Sequence, residues 1–164
     1  MGDMDSVSED VLLRMQEKTQ VERLPCEKDD TDGVHALDVA IARGAETITL
    51  LGALGGRLDH ALANLMLLVR AHQSGVSARI LDETVCIERV DGQAHLCGAK
   101  GDTVSLLPLG EAKGVTLKGF FYPLERRDLD SAYPLGISNV VTEDAASIRV
   151  QSGDLLLFHN RNLV

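Results

Sequence analysis

The 164 residues leave room for one ordinary domain or two small ones, and at 45% apolar they can build a real core. A net charge of -9 disfavours nucleic acid or an anionic membrane as the main partner, and 3% aromatics with no Trp argues against a base-stacking platform. The acidity is concentrated: residues 1–60 hold 13 of the 25 acids and 6 of the 16 bases and net -7, against -2 for residues 61–164.

Ser6 and Glu9 form a capping box ahead of Val11, Leu12 and Met15, which predicts a helix over about 7–18. A short strand is expected at 20–24, ending at Pro25. Residues 29–32 open a second helix, whose apolar positions Val34, Leu37, Ala40 and Ile41 keep a helical period until Gly44 stops it. Residues 47–51 read as a parallel strand buried on both faces. Gly52, Gly55 and Gly56 make a flexible turn. A long helix then runs from about Leu58 to Gln73, with Leu62, Leu65, Met66 and Val69 on one face and Gly75 after it.

The texture changes at 74–78. Short strands are expected at 78–82, 84–90, 93–97, 102–107, 114–118, 138–142, 145–150 and 154–159, with turn signals such as Asp91-Gly92 and Gly110 between them. The resulting expectation is an α/β layer with a parallel sheet over residues 1–75, followed by an antiparallel β-sandwich over residues 76–164.

Three cysteines, with no Cys-x-x-Cys, fit a reducing compartment. Read as a two-residue hairpin turn, Asp91-Gly92 would set Cys86 opposite Cys97 with Cα atoms ~5.5 Å apart. That spacing permits a bridge, but two free thiols are expected because nothing points to secretion. No signal peptide and no long apolar run is visible, so the expectation is a soluble, cytoplasmic protein.

Three acidic clusters carry the chemistry. Asp3 and Asp5, two apart, point to one side of an extended segment, where Mg²⁺ can take one or two carboxylate oxygens. Lys28 to Asp32 packs one cation and three acids into five residues at a helix start, where Asp29, Thr31 or Asp32 can cap. Gly55-Gly56-Arg57-Leu58-Asp59-His60 is the sharpest: two glycines let backbone approach a phosphate, Arg57 can fork onto its oxygens, and Asp59 sits in the first helical turn. Each cluster also has a plain reading as helix-start chemistry, since acids favour a helix N-terminus. His60 reads as a packed or hydrogen-bonded structural residue. Ser138 and Asn139 read as a turn or the start of an extended strand, and His35, His72, His95 and His159 lack the spacing of a zinc site.

In order and spacing these pieces resemble the thiamine pyrophosphokinase (thiamin diphosphokinase) family. The matching segments are Gly-Asp-Met-Asp-Ser at 2–6, Glu-Lys-Asp-Asp-Thr-Asp at 27–32, Leu-Gly-Ala-Leu-Gly-Gly-Arg-Leu-Asp-His-Ala-Leu-Ala-Asn-Leu at 51–65, Leu-Leu-Pro-Leu-Gly at 106–110, Lys-Gly-Phe-Phe-Tyr-Pro-Leu at 118–124 and Leu-Gly-Ile-Ser-Asn at 135–139. The 51–65 block is the most specific.

The resemblance implies Mg²⁺-dependent transfer of pyrophosphate from ATP to the hydroxyl of thiamine, giving thiamine diphosphate and AMP, by a homodimer that binds thiamine between its subunits. It implies an acidic site of Asp3, Asp5, Asp29, Asp32 and Asp59. Asp3, Asp5, Asp29 and Asp32 would hold the metal. Lys28, Thr31, Gly55, Gly56 and Arg57 would serve the nucleotide, Asp59, Arg57 and Asp32 the chemistry, and Ser138 and Asn139 thiamine. Family members carry more α/β domain before the Gly-Asp-x-Asp-Ser segment, so the expectation is that a strand–helix unit of ~30 residues is missing, leaving an exposed sheet edge. Two rival readings remain. One is a thiamine-binding relative without chemistry. The other is a Mg²⁺-dependent phosphatase, because Asp3-Met4-Asp5-Ser6-Val7 also fits the D-x-D-x-[TV] start of haloacid-dehalogenase-type phosphatases.

Overall fold

The structure, a computed structural model, describes Met4, residues 7–23 and residues 30–160. It divides into two units, residues 1–46 and 47–164. It is a mixed, sheet-rich fold with few helices.

Among its described residues the first unit holds two helices. Helix α1 (Glu9–Lys18) starts after Ser8, whose hydroxyl donates to Asp10 Oδ1 at 2.6 Å. That bond holds the Asp10 carboxyl below the usual carboxylate range. The expected cap, Ser6, lies outside the described residues. Of the expected apolar face only Leu12 is buried, while Val11 and Met15 are exposed. The strand expected at 20–24 is absent from 20–22; Arg23 makes an isolated bridge and Leu24 lies outside the described residues. Helix α2 (Asp32–Ala42) is capped by Thr31, whose Oγ1 accepts from the Val34 N–H. Its end follows from Gly44 at φ 83°: the Gly44 N–H bonds to the Ile41 carbonyl and the Ala45 N–H to the Ala40 carbonyl. This is the Schellman pattern, which satisfies carbonyls the helix leaves open.

The second unit runs β1 (Thr47–Leu51), α3 (Leu58–Gln73), β2 (Ser77–Leu81), β3 (Val85–Arg89), β4 (Gln93–Cys97), β5 (Thr103–Lys118), β6 (Leu124–Asp130), β7 (Asn139–Val140), β8 (Ala145–Arg149) and β9 (Ser152–Asn160). Strands β1 and β2 pair in parallel, Thr47 opposite Ser77, with α3 as their crossover. The strand order is β1-β2-β3-β9-β5-β8-β4, with β6 and β7 also on β5, and the pairings beyond β1–β2 are antiparallel. Among the described strands β1 ends the sheet. Its burial on both faces is not realised, for Leu51 is 73% exposed.

Strand β9 explains the architecture. Leu155, Leu156 and Leu157 are all fully buried. Side chains alternate along a strand, so the three leucines serve two cores. Leu155 and Leu157 join Val104, Leu106, Val115, Leu117 and Ile148 in one cluster. Leu156 joins Leu65 and Leu68 of α3, Ile80 and Ile87 in the other. A strand covered on both faces reads as an unbroken apolar run.

Helix α3 buries Leu65, Leu67, Leu68 and Ala71, whereas Leu62 and Met66 from the expected face are exposed. The helix is apolar nearly all round, so its period alone does not choose a face. It ends as α2 does, with Gly75 at φ 75° and the Val76 N–H on the Ala71 carbonyl.

Three further expectations fail because distant strands claim the segments involved. Asp91-Gly92 does not make a hairpin: β3 pairs with β2 and β9, while β4 pairs with β8. Cys86 sits opposite His159 and Cys97 opposite Ala145, so the two cysteines are not cross-strand neighbours. Gly110 is not a turn between two strands. It lies at φ 82° in the middle of β5, where the register on β9 shifts between Leu109 and Lys113. The first half of β5 pairs with β9 and β7, the second with β8 and β6. Strand β6 was not expected at all. It lies along β5 and buries only Leu129, so its charged residues show no alternation.

Candidate active site

The turn from β1 into α3 puts the glycine segment at the C-terminal end of a parallel strand and the N-terminus of a helix, where backbone N–H groups favour an anion. Gly56 needs its residue type, since it sits at φ 77°. Among the described residues nothing lies within 4 Å of where a Cβ would be at Gly52, Gly55 or Gly56, so none of them closes off the backbone there. Asn64, one turn and a half into α3, donates from Nδ2 to the Ala53 carbonyl at 2.8 Å and pins this loop. Its role was not legible in sequence, because a mid-helix Asn reads as surface.

Arg57 is the N-cap and Asp59 lies in the first turn. The guanidinium forks onto the carboxylate: Nε donates to Oδ1 at 3.1 Å and Nη2 to Oδ2 at 2.5 Å. The His60 N–H also donates to Asp59 Oδ1, at 3.0 Å. The Arg57 bond holds the Asp59 carboxyl below its usual range and raises Arg57. The fork is therefore present at and above the ordinary carboxylate range and is lost as pH falls through the lowered value. Both side chains are mostly exposed, at 74% and 62%. Arg57 keeps N–H donors beyond the two used here. His60, expected as a packed or hydrogen-bonded structural residue, is exposed, with its backbone N–H bonded to Asp59.

In the other unit, Thr31 is committed to its own helix as the cap and Asp32 occupies the first turn. Lys28, Asp29, Asp3 and Asp5 lie outside the described residues. Among the described residues no group of three or more His, Cys, Asp or Glu side chains is placed to hold a metal ion.

The segment from Leu135 to Asn139 is shaped by β5. The Leu106 N–H bonds to the Gly136 carbonyl at 2.8 Å, and a Cβ at Gly136 would meet the Leu106 carbonyl oxygen at 2.7 Å. Only glycine allows that approach. Ser138 is not extended as expected but left-handed, at φ 58°, with its N–H on Ser105 Oγ. Asn139 is buried at 6% exposure. Its Oδ1 accepts from the N–H groups of Tyr122 (3.0 Å) and Val140 (2.9 Å), and its Nδ2 donates to the Tyr122 carbonyl (2.8 Å). The amide thus stands in for a strand neighbour and fixes Tyr122. A cavity of about 480 Å³ opens beside it, lined by Tyr122, Pro123, Leu124, Leu135, Ile137 and Asn139 among others. Phe121 packs edge-on against Tyr122, ring centroids 4.8 Å apart. Asn139→Ala is expected to leave the Tyr122 N–H and carbonyl unpaired and to destabilise the fold by about 2 kcal/mol. Thermal melting checks this, and an unchanged midpoint would mean that water replaces the amide.

Residues 1–80 match the family model of the thiamin pyrophosphokinase catalytic domain, and residues 86–155 match that of the thiamin pyrophosphokinase vitamin B1 binding domain. A solved thiamin pyrophosphokinase family protein from Enterococcus faecalis is 32% identical, with 98% of this chain and 78% of that one covered at a TM-score of 0.82. The chain belongs to the thiamin pyrophosphokinase family. It is 28% identical over 163 residues to the thiamine pyrophosphokinase of Bacillus subtilis (strain 168), covering 97% of this chain and 76% of that protein. The crystal structure of thiamine pyrophosphokinase from Bacillus subtilis covers 99% of this chain and 78% of its own length at a TM-score of 0.86. The Arg57–Asp59 fork falls within the match to the thiamin pyrophosphokinase catalytic domain, and the Asn139 cavity within the match to its vitamin B1 binding domain.

Proposed function

We propose that this protein is a thiamine diphosphokinase: it transfers the pyrophosphoryl group of ATP to the hydroxyl of thiamine, giving thiamine diphosphate and AMP. The observation that carries this reading is the match, in order, to both halves of the family, with the glycine–Arg57–Asp59 segment at the start of α3. The hydroxyl oxygen of thiamine bonds to the β-phosphorus of ATP. The bond from that phosphorus to the bridging oxygen breaks, AMP leaves with the electron pair, and the hydroxyl proton is released. Such a transfer asks the protein mainly for positioning and charge stabilisation.

Arg57 would hold phosphate oxygens at the Gly55–Gly56 turn, and Lys28 and Thr31 would serve the nucleotide. Asp59, a weaker base than an ordinary carboxylate because Arg57 stabilises its charge, is better suited to aiming that guanidinium than to taking the proton. Asp3, Asp5, Asp29 and Asp32 would hold Mg²⁺, whose preference for hard oxygen donors these carboxylates suit. When bound, the metal offsets phosphate charge. Ser138 and Asn139 belong to the thiamine side, where Asn139 shapes the cavity through Tyr122 and Tyr122 offers a π-face to a cationic ring.

The domain reading that goes with this function is an α/β catalytic part over residues 1–75 and a β-sandwich over 76–164. A cytoplasmic location is part of this reading. Among the described residues no helix is long and apolar enough to cross a membrane. A homodimer is supported by exposed apolar side chains, Phe121, Tyr122, Tyr133, Leu135 and Ile137, of which Tyr122, Leu135 and Ile137 line the cavity beside Asn139. Light scattering is expected to give twice the chain mass, and a monomeric mass at micromolar concentration would remove the dimer from this reading.

Incubation with ATP, thiamine and Mg²⁺ tests the activity. Equimolar AMP and thiamine diphosphate are expected, and omission of Mg²⁺ should abolish both. Free phosphate instead would point to a phosphatase, and tight thiamine binding without turnover to a binding protein.

A further inference from the structure

We propose that the outer face of β4, β8 and the second half of β5 is a second anion site, separate from the α3 N-terminus, that takes a small polyanion of the inorganic diphosphate class. A groove of about 270 Å³ lies there, lined by Gln93, Thr116, Lys118, Arg126, Ser147 and Arg149 together with Gly114 and Gln151. Register accounts for the assembly. Thr116 lies opposite Arg149, which lies opposite Gln93, and Lys118 lies opposite Ser147. Directly opposed residues point to the same face, so two rows of polar side chains run across three strands.

The charge at this groove is unlike that of the rest of the chain. Among the described residues its lining includes three cations and no carboxylate, in a protein of net charge -9. Arg57, Arg89 and Lys113 each have a carboxylate partner within 4 Å. Among the described residues no ion pair neutralises Lys118, Arg126 or Arg149. Three like charges around one concavity repel one another unless an anion enters.

The groove is also partly pre-shaped. Arg149 Nη2 donates to Gln93 Oε1 at 3.2 Å, and Gln93 Nε2 lies 2.9 Å from His95 Nε2. Arg126 holds a left-handed backbone at φ 48°, uncommon for a residue with a side chain, and its N–H bonds to Thr116 Oγ1 at 3.1 Å. Strain of that kind collects at ligand sites. The volume sits below that of ordinary drug-sized pockets, roughly 300–1,000 Å³, which favours a compact inorganic anion over a whole nucleotide.

Calorimetric titration of inorganic diphosphate into the full chain tests this, with Mg²⁺ chelated and ionic strength held constant. Saturable binding is expected, weakened at least about tenfold in Lys118→Gln/Arg149→Gln and unchanged in Arg57→Gln. Orthophosphate is expected to bind at least about tenfold more weakly than diphosphate. Absence of saturable binding, equal affinity for the two anions, or loss in Arg57→Gln with retention in the double variant would each overturn the proposal. Backbone amide NMR on the unaltered chain gives a readout that does not depend on the variants folding. Diphosphate should shift residues of β4, β5 and β8, and shifts confined to 52–60 would overturn the site.

Discussion

Asp59→Asn is expected to cut AMP formation at least about a hundredfold while the melting midpoint stays close to that of the parent. The size follows from what one preorganised charge-stabilising group contributes in a transition state. In the folded protein Asp59 accepts both arms of the Arg57 fork and the His60 N–H. Asparagine keeps one acceptor oxygen but turns the other arm into a donor, which faces the guanidinium and cannot receive it. Arg57 then loses its aim at the Gly55–Gly56 turn. Stability should hardly change, because both side chains are mostly in water, where an exposed ion pair contributes little. Steady-state assays of AMP release alongside thermal melts decide the matter. Unimpaired turnover would make the fork a surface ion pair, and a steep loss of melting temperature would make it structural.

Leu156→Ala is the substitution expected to harm the fold most, by about 3–4 kcal/mol. That corresponds to a fall of roughly 10 °C in melting midpoint for a chain of this size. Leu156 is fully buried and sits where α3, β2 and β3 converge on β9. Its neighbours in the strand, Leu155 and Leu157, point into the other core, so neither can move to fill the space. The helix that Arg57 caps would lose one of the sheet side chains, beside Ile80 and Ile87, that it packs on. Chemical denaturation followed by circular dichroism reads the loss directly, and a cost below about 1 kcal/mol would show that α3 settles into the gap.

Much of this fold was legible because its signals are local. Gly44 and Gly75 stop their helices through bonds that reach only five residues back, so the sequence around each stop contains the whole cause. The Arg57–Asp59 pair is local too, two residues apart at a helix start. The failures come from partners far along the chain. Gly110 looks like a turn until β9 and β6 claim the two halves of β5 and carry the strand through it. Leu124 to Asp130 is nearly all charged and forms a strand only because β5 offers hydrogen bonds. Asp91-Gly92 has the composition of a hairpin turn, yet it carries the chain from the strand paired with β9 to the strand paired with β8. Asn139 was readable as a motif residue but not in its action, because the backbone it clamps, at Tyr122, lies 17 residues away.

Strand β5 has a consequence for how the molecule opens. It spans 16 residues and is bonded to β9 and β7 along one half and to β8 and β6 along the other. Neither arm of the sheet, β1-β2-β3-β9 on one side or β8-β4 with β6 on the other, can peel away without breaking bonds to a strand that the other arm also holds. Amide hydrogens of β5 and β9 should therefore trade with deuterium slowest and together, only when the whole unit comes apart. Those of β4 and β6, held on one side, should trade earlier. The time course of labelling would trace β5 as the seam along which the two arms of the sheet are sewn.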